Sequence, residues 1–203
     1  MPAAAAPAPS GPLAGDPSIL GLPSFVVGSL ALGMVLVGVV PADALGASLP
    51  ILVAATAIGL FIAGIWSAVL GQSAVAGIFG IFATFWLSYS VFLLGLFHGW
   101  FALSPAAVKS TTELFLVAWL LIIGVLTLAS LRLPLAFTAV FALIDLALVL
   151  LLVGTATGSA SLSTLAGYVV LAFAAVGLYL FYGAASQATG GPGVPMGTPV
   201  VRG

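Results

Sequence analysis

Residues 114–153 read LFLVAWLLIIGVLTLASLRLPLAFTAVFALIDLALVLLLV and carry only two charges, Arg132 and Asp145. Arg132-Leu133-Pro134 divides the stretch into two apolar runs. The hydrocarbon core of a bilayer is about 30 Å thick, and a helix crosses it with about 20 apolar residues. The two runs are therefore expected to be membrane-spanning helices over residues 111–131 and 134–153, joined by a very short turn.

The rest of the chain repeats this pattern. Of its 203 residues, 63% are hydrophobic and 3% are charged. A soluble domain carries roughly 25% charged residues, so lipid is the natural solvent here. Four further spans are expected at 23–40, 50–70, 74–97 and 163–182. Pro50 suits the first turn of its helix. Gly71-Gln72-Ser73, residues 98–110 and residues 154–161 supply the breaks. Span length and the lack of alternation argue against a β-barrel. The expected fold is an all-α integral membrane protein with six transmembrane helices.

The domain organisation follows. Residues 1–15 form an Ala/Pro-rich tail, 16–186 the transmembrane domain, and 187–203 a Gly/Pro-rich tail. Both tails are expected to be disordered. The first lacks the positive region of a signal peptide. Six spans place both ends on one side, with Arg132 and Arg202, while Lys109 faces the other. The positive-inside rule then puts both termini in the cytoplasm of a multi-pass cell-membrane protein.

Composition also excludes function classes. A net charge of −1 leaves no basic footprint for nucleic acid. Zero Cys removes disulfides and thiolate chemistry. No phosphate loop, Ser-His-Asp arrangement or metal-ligand spacing occurs, so neither enzymatic chemistry nor a cofactor is expected.

Several residues invite a functional reading. Asp145 is an acid inside a span, where an ionisable group is costly and faces a cavity or a partner. Arg132 lies about 20 Å away along one helix, at 1.5 Å per residue, so the partner must come from elsewhere. Asp145 is either a proton-linked pathway residue or one side of a helix–helix or subunit hydrogen bond. In the third span Gly77, Ile81, Thr84 and Ser88 form a small and polar stripe beside Phe82, Phe85 and Tyr89. Thr84, Ser88 and Tyr89 are candidate pore-lining residues. The alternative is hydroxyls bonded to their own helix carbonyls. Glycines at 28, 33, 59, 64, 77, 80, 167 and 177 read as close helix packing or as backbone lining a narrow passage.

The remaining charges have simpler readings. Glu113 suits a helix N-terminus. His98 beside Trp100 suits the membrane interface, with a proton relay as the alternative. Lys109, Asp43 and Arg202 read as solvated loop or tail charges. Asp16-Pro17-Ser18 is a helix start followed by Ile19-Leu20-Gly21-Leu22, and Pro23 then interrupts or restarts the helix. A short re-entrant helix there would offer free backbone N–H groups to an anion.

These motifs resemble the acetate uptake transporter family, the succinate–acetate permeases. That family opens with Asn-Pro-Ala-Pro-Leu-Gly-Leu and a nearby Phe; here the run is Asp16-Pro17-Ser18-Ile19-Leu20-Gly21-Leu22, then Phe25. Ala63-Gly64, Phe85-Trp86-Leu87, Ala166-Gly167-Tyr168, Tyr179-Leu180 and Pro195-Met196-Gly197 also match in order, over roughly residues 16–199. The resemblance implies six helices per subunit, a homo-hexamer with one passage per subunit, and proton-coupled or channel-like movement of acetate, related monocarboxylates or succinate. It implies a hydrophobic constriction at Phe25, Phe82 and Ile144, and an entry motif at Asp16, Pro17, Leu20 and Gly21.

The departures are specific. Phe82 stands where the family has Tyr, Leu60 where it has Gln, Ser67 where it has an acid, Gln72 where it has Asn, and Asp145 where it has a neutral residue. The leading expectation is passage of a small carboxylate. The alternatives are a channel for a small neutral solute, such as urea, a short amide or ammonia, and a non-transporting membrane scaffold.

Overall fold

The computed structural model describes residues 14–201. Among them six helices are long and apolar enough to cross a membrane, and no strand occurs. They are α1 Ser18–Leu36, α2 Leu45–Val69, α3 Ser73–Phe97, α4 Pro105–Ser130, α5 Leu135–Thr157 and α6 Ala160–Ala188.

The helix ends have local causes. Asp16 Oδ1 accepts the Ser18 backbone N–H at 2.9 Å and caps α1. Helix α1 then runs unbroken through Pro23, so the expected separate re-entrant helix is absent. Pro23 falls early in the helix, where the interruption it causes is near a free end. Helix α2 begins five residues before the expected start and carries Pro50 in its interior. Proline cannot donate to the helical ladder, and the chain widens directly afterwards into a π-helical segment, Ile51–Ala57.

Helix α4 starts at Pro105, six residues earlier than expected. Ser104 Oγ accepts the Ala107 N–H at 3.3 Å, and Pro105 occupies the first turn. Glu113 is therefore in the third turn rather than at the N-terminus. It forms a partly exposed i,i+4 pair with Lys109 at 3.9 Å, a kind worth about 0.3–0.5 kcal/mol. Lys109 also donates to the Ala156 carbonyl at 2.6 Å, tying the start of α4 to the end of α5. Gly158, with φ of 69°, ends α5, because the left-handed conformation there suits a residue without Cβ. Ser159 then caps α6 through the Leu162 N–H.

Each helix packs beside its neighbour in sequence, and α6 returns to α1, so the six form a ring. The joint between α3 and α4 is made largely by aromatic rings: Phe85 lies 5.2 Å from Trp119, and Phe92 lies 5.6 Å from Phe115. Helix α1 comes close to α2 and α6 at small residues. A Cβ on Gly28 would meet the Thr56 side chain, and one on Gly177 would lie 2.8 Å from Val26 Cγ2. Without an apolar driving force between helices in lipid, such close backbone contact supplies the dispersion energy of association. Helix α4 buries little beyond Leu116, Ile123 and Ser130, and leaves Leu121, Val125 and Leu128 outward.

The C-terminal segment departs from expectation. Helix α6 continues to Ala188, and residues 190–201 fold back on the bundle. Ala136 N–H donates to the Met196 carbonyl at 2.9 Å, and Val201 N–H to the Leu131 carbonyl at 2.9 Å. A Gly/Pro-rich strap cannot satisfy itself with helical hydrogen bonds, and here its partners are the free groups at helix ends. Residues 1–13 of the expected N-terminal tail, and Arg202, lie outside the described residues.

Candidate functional site

The interior of the ring is aromatic. Phe25 of α1 and Phe82 of α3 meet edge to face with centroids 5.2 Å apart. Phe141 of α5 stacks on Phe82 at 6.0 Å, and Phe173 of α6 lies 5.7 Å from Phe25. All four are buried. Such pairs are each worth about 0.5–1.5 kcal/mol beyond their area.

Phe25 and Phe82 stand between two cavities and line both. The outer cavity, of about 150 Å³, opens toward the side holding the chain ends, with Ser18, Leu60, Phe79, Phe141 and Leu180 in its wall. The inner cavity, of about 40 Å³, is walled by Leu32, Ile123, Ile144, Leu148 and Phe173. Of the three residues expected at a constriction, Phe25 and Phe82 thus line both cavities, as a partition between them, and Ile144 lines the inner one only. Phe141 flanks this pair on the outer side and Phe173 on the inner side, through their ring contacts. The resemblance gave no reason to single them out, and their apolar surroundings gave no signal of their own.

Leu60 is fully buried at the outer cavity, on the α2 face where the related family places Gln. Ser67 turns back to the Ala63 carbonyl at 2.8 Å. The walls of both cavities contain no Lys, Arg or His among the described residues. A full charge moved into such surroundings faces a penalty of tens of kcal/mol by continuum solvation.

A third cavity, of about 120 Å³, continues the outer one and shares Ser18, Leu22, Phe137 and Leu180 with it. Asp16 lies at this mouth. Leu20 and Gly21 follow in the first turns of α1, where Gly21 faces the Phe79 ring. The first amides of α1 are already satisfied. Ile19 N–H donates to Asp16 O, Leu20 and Gly21 N–H to Pro17 O, and Ser18 N–H to the Asp16 carboxylate. The expected anion-attracting helix start is therefore a self-capped one with a carboxylate in place.

The third-span expectations divide. Thr84 is exposed and bonds the Gly80 and Ile81 carbonyls, and Ser88 bonds the Phe85 carbonyl. Thr84 sits in an outward groove between α2 and α3 with Ile58, Phe61 and Leu87. Neither residue lines the outer or the inner cavity. The helical phase that turns Phe82 and Trp86 inward turns Thr84 out. Tyr89 packs among Phe85, Trp86 and Phe115 at the α3–α4 joint. His98 bonds the Leu94 carbonyl and stacks on Trp100 at 5.5 Å, an interface arrangement.

Asp145 lies in the seam between α4 and α5, one residue past Ile144 and outside the walls of both cavities. Thr127 Oγ1 lies 2.6 Å from Asp145 Oδ2 and 3.0 Å from the Ile123 carbonyl. The hydroxyl has one proton for these two acceptors. Asp145 Oδ1 is buried without a partner.

The profile of the GPR1/FUN34/yaaH family matches residues 2–191. A solved structure entitled "Structure of the bacterial acetate channel SatP" has the same fold. Its TM-score is 0.79 at 23% sequence identity, covering 90% of this chain and 99% of that one. No curated protein matches the chain.

Proposed function

The chain belongs to the GPR1/FUN34/yaaH family, and we propose that it is a membrane passage for a small monocarboxylate such as acetate, not an enzyme. The observation that carries this reading is the pair of apolar cavities meeting at Phe25 and Phe82 inside the helix ring. The likeness to an acetate channel supports the choice of solute. A chamber without a cation and with a carboxylate at its mouth suits the uncharged acid better than the anion. In this mechanism the proton crosses with the solute, which leaves its water at the Phe25–Phe82 partition.

Asp145 takes no direct part in this path. It joins α4 to α5 through Thr127 beside Ile144, and a change in its protonation redirects the single Thr127 proton. Assembly as a homo-hexamer would cover part of the outward apolar face of α4 and α2, the rest being left to lipid. Both termini are assigned to the cytoplasmic side of the cell membrane.

Uptake of radiolabelled acetate into proteoliposomes tests the reading. Uptake above that of empty liposomes is expected, more strongly at acidic pH. Uptake equal to empty liposomes at both acidic and neutral pH overturns it. The second reading, a channel for a small neutral solute, is favoured by the same cation-free walls. Stopped-flow swelling with urea and acetamide tests it, and swelling no faster than in empty liposomes removes it.

A further inference from the structure

We infer that the C-terminal strap, residues 190–201, contributes Val194 and Met196 to the wall of the passage, where they set access to its mouth opposite Asp16; this rests on the transport reading above. The strap reads GGPGVPMGTPVV and can form neither helix nor strand over any length. It is nevertheless held by hydrogen bonds along its length. Ser186 Oγ donates to the Pro192 carbonyl at 2.7 Å, and Tyr179 Oη to the Pro195 carbonyl at 2.7 Å. Ala136 and Val201 add the two backbone bonds to Met196 and Leu131 already described. Two of these anchors lie on α6, one on α5 and one on the α4–α5 turn, so the strap spans three elements at one end of the ring.

The helices make room for it. A Cβ on Gly183 would lie 2.5 Å from Val194 Cγ2, so the valine seats only because α6 has a glycine there. Gly197, with φ of 76°, turns the strap back over Leu135. The result is that Val194 and Met196 enter the wall of the third cavity, which continues into the outer one at Ser18, Leu22, Phe137 and Leu180. A solute approaching from the side of the chain ends passes between the strap and Asp16 before it reaches Phe25.

The chain has no Cys, so a single introduced thiol is the only target for a thiol reagent. Val194→Cys, Met196→Cys and the control Val200→Cys are each reacted in detergent with a sulfonatoethyl methanethiosulfonate, then reconstituted for acetate uptake. Val200 is on the strap but not in that cavity wall. Modification at 194 or 196 is expected to lower uptake at least fivefold, with recovery on reduction, while modification at 200 leaves it within twofold. Complete modification at 194 and 196, confirmed by intact mass, with unchanged uptake overturns the proposal. So does failure of the reagent to reach either position. Absence of uptake by the unmodified parent chain instead overturns the transport reading and this one with it.

Discussion

Replacing Phe82 with alanine removes half of the partition. Phe82 is 4% exposed and holds two ring contacts, to Phe25 at 5.2 Å and to Phe141 at 6.0 Å. Each pair is worth about 1 kcal/mol, so parting the rings to admit a solute costs about 2 kcal/mol. At about 1.4 kcal/mol per factor of ten, losing that barrier raises flux roughly 30-fold. The same change costs stability: Phe→Ala in a packed core costs about 3–5 kcal/mol. Cavities already flank the ring on two sides, so the loss falls near the lower end, about 3 kcal/mol. Acetate and acetamide fluxes in proteoliposomes give the first quantity, and thermal unfolding in detergent the second. Phe82→Leu, which keeps an apolar plug without the flat ring, is expected to fall between. A Phe82→Ala protein that elutes and melts as a folded species, yet carries no more solute than the parent, refutes the assignment of Phe25 and Phe82 as the rate-limiting partition.

Thr127→Val and Asp145→Leu in a double-mutant cycle are expected to show coupling of about 0.6–1.7 kcal/mol in thermal unfolding, the range for polar contacts between membrane helices. Coupling near zero would mean the seam contact carries no energy. Thr84→Val is expected to leave flux within twofold, since its hydroxyl faces an outward groove; a tenfold loss would put that groove on the solute path. Gly177→Val places a branched side chain against Val26 and is expected to destabilise by about 1–3 kcal/mol through overpacking, read as a lower melting temperature. Ser104→Ala is expected to cost about 1 kcal/mol by removing the α4 cap, and an unchanged melting point would show that Pro105 alone sets that helix start.

Some of the site was legible in the chain and some was not. The motif order placed Phe25 and Phe82, and the structure brings them together. Phe141 and Phe173 could not be told from other apolar residues, because every face of these helices is apolar and hydrophobic periodicity therefore has little contrast. The same loss of contrast misdirected Thr84 and Ser88. A hydroxyl in a span satisfies itself on its own helix, so its presence says little about which way the helix faces. Ser104-Pro105 was a readable helix start that lay inside what looked like a loop. The strap was unreadable for a different reason: its Pro and Gly residues have no ladder of their own, and they become ordered only where Tyr179, Ser186, Ala136 and Leu131 offer partners.

Residues 114–153 by themselves determine that this chain lives in lipid and crosses it twice there. Forty residues with two charges leave no other solvent, and a polypeptide in hydrocarbon must bond its own backbone. The count of six spans follows by the same physics along the chain. Which faces of those spans look inward is a different matter. In lipid both the inner and the outer faces are apolar, so the rotation of each helix is set by its packing contacts, such as Gly28 on Thr56, Gly177 on Val26, Gly64 against the Gly80 backbone and Phe85 on Trp119. That rotation turns Phe82 to the centre and Thr84 outward, places Asp145 in a seam with Thr127, and lets Val194 and Met196 of the C-terminal strap enter the wall of the third cavity.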